Sequence, residues 1–571
     1  MARRVVRAAR AELRLREAAA WLGARGADEQ VLVIGATPDA ASEVIRDVTL
    51  ARGTGFGWHR FTLGRLAAEL AKVELARRDL APVGQLPIEA LCARVVHRLR
   101  VDGKLGRLEA VVDQPGLPRA LARTALELRM AGASTVAGDP ELAAALAALD
   151  EELSRARLAD RSLVYRIATE VAASGEPHLL LGHAILLIDV PLRSIVEREL
   201  VTMLARCTPD VLATVPAGDD PTERHLHEIL QTEAEPLVEP PGDSLRRVQQ
   251  SLFAPTGEVA ELDRSVAIFS APGESRECVE IARRVLIAAG QGVAFDRMAV
   301  LLRTPELYRV HLEEAMARAG VPVYFDHGTV LPDPSGRAFL ALLACAAEQL
   351  SARRFAEYLS LGEVPEAVAG EPPRALPAGD RWIPPDEELL PVALATPDEL
   401  APDPPVSFGI GDPVAAGTLR TPWRWERLLV EAAVIGGRER WERRLLGLEA
   451  QLRLDDGEAG RETRERMLVD LGHLRAFALP LLDELAGLPS LATWGVWLDR
   501  CGALATRALR RPERVLAVLA ALAPMSEVGP VALREVQQVL GPRLVDDLAT
   551  RPPPLRAAAG RADRRGARAR V

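Results

Sequence analysis

The sequence predicts an α/β protein with large helical insertions, and three observations carry that reading. Short apolar runs ending in a turn or polar residue recur at 31–34, 184–188, 211–215, 298–302 and 321–325. Helical patterns separate them, which is the signature of parallel strands joined by right-handed crossovers. Ala, Leu and Arg dominate while aromatics are only 4%, so helix is favoured between those runs. With 571 residues, 48% of them apolar and 26% charged, the chain is globular. That length suits roughly three to five units with their own cores.

The elements follow in order. Residues 7–24 have helical spacing (Leu13, Leu15, Ala18, Trp21, Leu22) and end at the turn 23–26. A short buried strand at 31–34 precedes Thr37-Pro38-Asp39, a turn that caps a helix over 40–50. The glycine-rich turn 53–57 leads to a strand end at 58–62 and a helix from Leu63. Residues 87–173 are almost wholly helical in pattern, punctuated by Gly116, Gly132 and Asp139-Pro140. Strand 184–188, ending on Asp189, then returns to the first sheet, followed by a helix over 194–205 and strand 211–215. A linker at 237–242 and a short polar helix reach Phe253.

A second sheet is expected to begin near Ser265. Its strands would be the run 266–274, ending in Ala-Pro-Gly-Glu, then 298–302, closing on Arg303, and 321–325, ending at Asp326. The loops after parallel strands are where such sheets place ligands, and here they carry Ser270, Arg303 and Asp326. Helical patterns return at 337–349 and 352–361. The Pro/Gly/Asp-rich stretch 362–422 reads as a loop, and helices over 423–454, 462–485 and on to 548 complete the chain. Residues 551–571 are almost only Arg, Ala, Gly and Pro and cannot bury a core. They read as a disordered basic tail, able to touch nucleic acid nonspecifically or simply an unstructured or out-of-frame terminus.

Composition narrows the chemistry. A net charge of −9 argues against a chain that coats DNA electrostatically, while leaving room for a local groove. Five scattered cysteines form no CxxC pair, so no zinc or iron–sulfur site is expected, and a reducing cytoplasm is the natural setting. No signal peptide and no membrane span are read. The only lysines are Lys72 and Lys104. A motor ATPase needs GxxxxGK[ST], whose glycines let backbone N–H groups reach the phosphates and whose lysine reaches the β/γ oxygens. Lys72 lies inside a helical pattern, and Lys104 has Arg98 and Leu105 where Gly and Ser/Thr are required. ATP hydrolysis is therefore not expected, nor any cofactor. Asp189 is followed by Val190, so the usual pair of acids after a strand is reduced to one. Asp102-Gly103-Lys104 matches the (D/E)xK triplet of a metal-dependent nuclease literally, yet sits in a turn composition between helices.

The residues 31–39 (VLVIGATPD), 58–70 (WHRFTLGRLAAEL), 187–205, 271–274 (APGE), 301–303 (LLR) and 320–322 (GVP) resemble the B subunit of AddAB-type helicase–nucleases. The likeness covers most of residues 1–550, including 423–446, which resembles a helical second-domain insertion of some members. It implies two RecA-like parallel-sheet domains, the second incomplete. Residues 1–86 and 179–236 would form the first, without a lysine loop, and 87–178 a helical insertion. Residues 264–330 would start the second, and 331–550 a further helical insertion. By the same likeness Thr37, Arg60, Thr62 and Arg65 would lie against DNA phosphates, with Asp189 and Arg303 as remnants of a nucleotide contact.

The resemblance implies a DNA-binding scaffold: single-stranded or end-bearing DNA and a motor–nuclease subunit as partners, in double-strand-break repair. Family members continue beyond this length into a PD-(D/E)XK nuclease domain, so an N-terminal part or a truncated or frame-shifted product is a second expectation. A third is a helical interaction module that binds no DNA.

Overall fold

The computed structural model describes residues 3–546 apart from 27–28, 113, 115, 134–135, 137, 209, 239–241, 252–260, 325–333, 362–363, 365–413, 416–417, 420–421 and 455–460. Its centre is a six-stranded parallel sheet. The strands are β1 (Arg3–Ala8), β2 (Val31–Gly35), β3 (Trp58–Phe61), β4 (Ala184–Ile188), β5 (Val211–Pro216) and β6 (Ala234–Pro236), in the spatial order β3-β2-β4-β5-β1-β6. Each strand except the edge β6 runs into a helix at its carboxyl end, and the parallel register is continuous, with Val31 beside Ala184 and Val5 beside Ala213.

Both faces are covered, as a parallel sheet requires. Helices α1 (Ala11–Gly23) and α2 (Pro38–Arg52) lie on one face against Val6, Val31, Val33, Leu186, Ile188 and Leu212. The opposite face, Val5, Leu32, Ile34, Ile185, Leu187 and Ala213, is buried by α3 (Leu63–Arg77) and by helices from the second half of the unit.

Between β3 and β4 the chain is helical, as the sequence predicts: α4 (Gln85–Val101), α5 (Gly116–Met130), α6 (Pro140–Arg155) and α7 (Arg161–Ala173). Of these, α4, α5 and α6 enclose their own core around Leu91, Val95, Leu121 and Leu149, while α7 returns to pack on α3 and the sheet. The sheet resumes with α8 (Ile195–Cys207) and α9 (Asp220–Leu230), on the same face as α3, and the short α10 (Ser244–Ser251) follows. The α8 start is a complete capping box, Ser194 Oγ accepting from Glu197 N and the Glu197 carboxylate accepting from Ser194 N.

Next come α11 (Glu274–Gly290) and α12 (Pro305–Arg318), packed on one another through Cys278, Ala282, Leu312, Ala315 and Met316. The strands expected at 266–274, 298–302 and 321–325 do not form among the described residues. Those segments have the apolar content of strands but no ladder partner, so β assignment fails; Phe325 and Asp326 lie outside the described residues. Among the described residues there is one large parallel sheet, and Arg303 is not part of it.

The last unit is helical: α13 (Pro334–Ala347), α14 (Ala352–Ser360), α15 (Pro422–Glu431), α16 (Arg438–Leu454), α17 (Arg461–Ala486), α18 (Trp494–Ala508), α19 (Glu513–Ala521) and α20 (Leu533–Asp546). Its core holds Trp425, Trp441, Trp497, Phe355 and Tyr358, with Trp441 Nε1 donating to Leu350 O (2.8 Å) and Trp497 Nε1 to Val531 O (3.0 Å). Most of the predicted loop 362–422 and all of the tail 551–571 lie outside the described residues.

Candidate functional site

The carboxyl ends of a parallel sheet are where loops and helix N-termini converge, and ligands bind where the following helices leave on opposite faces. Here β1 and β2 send their helices to one face, whereas β3, β4 and β5 send theirs to the other. The crevices are therefore between β1 and β5 and on either side of β2.

The first crevice is closed. Only Ala9 and Arg10 join β1 to α1, too short for a phosphate-cradling loop. Sequence spacing suggests a helix from residue 7 and puts 5–11 in that loop's place. The structure makes 3–8 a strand instead, because each arginine of RRVVRA finds a partner. Arg3 Nη2 donates to Ala205 O (2.7 Å), Arg4 pairs with Glu235 (2.9 Å) and Arg7 with Glu223 (3.0 Å). Val5, Val6 and Ala8 are then free to be buried.

Behind this link sits Arg14, 5% exposed. Its guanidinium forks onto Asp189 at the end of β4, Nε to Oδ1 and Nη2 to Oδ2, both 2.9 Å. Nη1 donates to the carbonyls of Ala8 (2.6 Å) and Ala9 (3.0 Å). Thr214 on β5 donates its hydroxyl to Asp189 Oδ1 (2.7 Å) and accepts from Asp189 N (3.0 Å). Asp189 adopts a left-handed backbone (φ 50°), which Asp tolerates better than most residues and which this hydrogen-bond set holds in place. The one acid kept after the strand is thus spent on an internal ion pair. The carboxylate accepts three hydrogen bonds and the guanidinium donates four, so most of the bonding capacity of both is used inside the protein.

Arg14 was not a sequence candidate. The signal for it is its place four and eight residues before Ala18 and Leu22, the buried stripe of α1, where a charge must find a buried partner.

The four predicted DNA-contact residues lie around β3: Thr37 at the start of α2, Arg60 on β3 itself, and Thr62 and Arg65 at the start of α3. Gly35 ends β2 in a turn where a Cβ would lie 2.7 Å from Thr37 O and 2.9 Å from Ala41 N, so only glycine fits. Ala36 N donates to Ile188 O (3.0 Å), fixing the loop on β4. Thr37 then caps α2, its hydroxyl oxygen accepting from Ala40 N (3.2 Å). Thr62 caps α3 in the same way, accepting from Arg65 N (3.4 Å). Arg60 points along α2 and donates to Ser42 Oγ (3.2 Å), whose hydroxyl in turn donates to Pro38 O (2.8 Å). Arg65 lies 5.9 Å from the Phe61 ring centroid. Two helix N-termini, each with an arginine, therefore flank β3, one on each face of the sheet. The helix dipoles and the two arginines favour anions, while Asp39 in the first turn of α2 adds a negative charge at the first of these termini.

Arg303, expected beside a nucleotide, is exposed, with no ion pair among the described residues, and follows the unpaired segment 298–302. Lys104 pairs with Asp102 (3.3 Å) in the turn after α4, as its composition indicates. Among the described residues no group of three or more His, Cys, Asp or Glu could hold a metal ion, and no helix is long and apolar enough to cross a membrane. No protein-family profile and no curated protein matches this chain.

Proposed function

We propose that this chain is a helicase-like DNA-binding scaffold that holds single-stranded or end-bearing DNA beside a separate motor–nuclease subunit and does not itself turn over nucleotide. The observation that carries this reading is the contrast between two of the crevices of one sheet. At β1 the phosphate position is replaced by the Arg14–Asp189 fork. At β3 the helices α2 and α3 begin at the capping threonines Thr37 and Thr62, with Arg60 and Arg65 beside them. The strand order, with β1 inside the sheet and the acid-ended β4 two strands away, supports a RecA-like ancestry for this unit.

In this reading the DNA backbone supplies the anions. Thr37 uses a lone pair on Ala40 N–H and donates its proton outward to a phosphate oxygen, while Arg60 neutralises charge. Neither group reads a base, so binding is independent of sequence.

The test is fluorescence anisotropy of a labelled oligothymidylate across salt concentrations, alone and with a motor–nuclease partner. With two phosphates neutralised, log K should fall with log salt at a slope of about −1.4. Arg60→Ala should flatten it by about 0.7, and Thr37→Asp, which keeps the cap but adds a negative charge, should weaken binding about tenfold. Salt-independent or absent binding in both settings overturns the proposal, as does ATP turnover by the purified chain. The alternative of a helical interaction module without DNA draws on the finding of one large sheet and on the extent of the helical core. It predicts no binding in the same titration.

A further inference from the structure

Toward the amino end of the sheet two histidines face one another across β2. His59 is the second residue of β3 and lies beside Leu32 in the ladder. His183 directly precedes β4, two residues before Ile185. Leu32 and Ile185 are neighbours on the same face of the sheet, so strand alternation puts both imidazoles on that face. Both histidines are half-buried, and their ring centroids are 6.2 Å apart.

Their hydrogen bonds fix which nitrogen carries the proton. His183 Nε2 lies 2.8 Å from Leu179 O, and a carbonyl can only accept, so Nε2 holds the hydrogen and Nδ1 the lone pair. His59 Nε2 donates in the same way to Gln30 Oε1 (3.2 Å), on the residue just ahead of β2, which leaves a lone pair on its own Nδ1. Neither Nδ1 has a hydrogen-bond partner among the described residues. An imidazole anchored through one nitrogen and offering the other is the form in which histidine binds metals, because the outer bond sets the tautomer and raises the basicity of the ligating atom. With metal–nitrogen bonds of about 2.1 Å and a nitrogen roughly 1.1 Å from its ring centre, two imidazoles on one ion have centroids at most about 6.4 Å apart. The observed 6.2 Å is within that bound, and a tetrahedral angle at the ion would close it by about 1 Å.

We propose that His59 and His183 bind one divalent transition-metal ion of the zinc, nickel or copper class through their Nδ1 atoms, with water completing the coordination. Imidazole nitrogen selects this class over magnesium and calcium, which take oxygen ligands. Binding asks for rotation about the histidine χ angles, since the strands already hold the two residues within reach. The ion would clamp the edge strand β3 to β4 across β2. The proposal is independent of DNA binding, because neither histidine belongs to the set Thr37, Arg60, Thr62 and Arg65.

Isothermal titration of the full chain with zinc chloride, and separately with magnesium chloride, tests it. The expected result is one zinc ion per chain and no binding of magnesium. His59→Gln and His183→Gln should each weaken zinc binding at least tenfold, and Gln30→Leu, which removes only the outer hydrogen bond, about tenfold. Copper(II) added to the unaltered chain should show electron-paramagnetic splitting from two ligating nitrogens, a readout that needs no variant to fold. Absence of stoichiometric zinc binding overturns the proposal. So does zinc binding that either histidine variant leaves unchanged, equal binding of magnesium, or a copper spectrum without two nitrogens.

Discussion

Arg14 and Asp189 are the residues that close the crevice beside β1. Removing the guanidinium leaves a carboxylate without its counter-charge, and breaking a buried pair costs about 3–5 kcal/mol. Asp189 keeps part of its surface in water, so Arg14→Ala should destabilise by about 3 kcal/mol, the lower end of that range, measured by urea unfolding. The double variant Arg14→Met with Asp189→Asn should recover part of that loss. A second residue-level expectation concerns His59, whose ring stacks on His183 with centroids 6.2 Å apart. Burial, and then the neighbouring His183 charge, hold the His59 pKa below its ordinary 6.5. The unfolded chain therefore binds the proton more readily than the folded one. Its contribution to stability is present above pH 6.5 and is lost as pH falls below that value toward the folded pKa. Melting temperature should drop over that interval, and His59→Gln should reduce the drop. Burial also raises the thiols of Cys92, Cys345 and Cys501 to about 12, so a thiol reagent should modify the half-buried Cys207 well before these three in the native protein.

Among the elements, α4 has an unusual position because two cores share it. Leu91, Val95 and Leu99 face α5 and α6, while Ala90 and Ala93 belong to the core of the C-terminal helical unit. Glu89 ties the same helix to α20 through Arg543 (2.6 Å), both side chains mostly buried. Glu89→Ala should cost about 3 kcal/mol and loosen α20 more than the sheet, a selectivity that site-resolved hydrogen exchange would detect. Sequence reading included most of α4 in the almost wholly helical stretch 87–173. It could not find the sharing, because the two apolar stripes merge into one broad face. β2, β4 and β5 were legible for the opposite reason: VLVI, AILLI and VLATV are buried on both sides and read as continuous apolar runs. β1 and β6 were not, because Arg3, Arg4 and Arg7 in one and Glu235-Pro236 in the other break that pattern. Distant acids and carbonyls, unseen in a local window, satisfy β1.

At the scale of the whole molecule, the two helical regions either side of α4 should unfold together. Protection of amides in α4 and α20 should therefore fall at the same denaturant concentration, and separate transitions would show that the shared core is not cohesive. The legibility of the candidate site divides at this scale too. Thr37 and Thr62 could be placed on one edge from their positions just after strands, because cap residues and strand ends are local properties. The fate of Asp189 could not, since its partner lies 175 residues away on a helix that gave no sign of carrying a buried charge. The second sheet failed for a related reason: an apolar run has strand content, but a strand exists only when something pairs with it.

The forked arginine behind β1 bears on any attempt to build a nucleotide site into this sheet. Grafting a glycine-rich lysine loop between Ala8 and Ala11 would supply a cradle for a triphosphate. An incoming magnesium ion would still find the Asp189 carboxylate paired with Arg14. Such a design therefore has to begin by evicting Arg14 and straightening the chain at Asp189, before any cradle is installed.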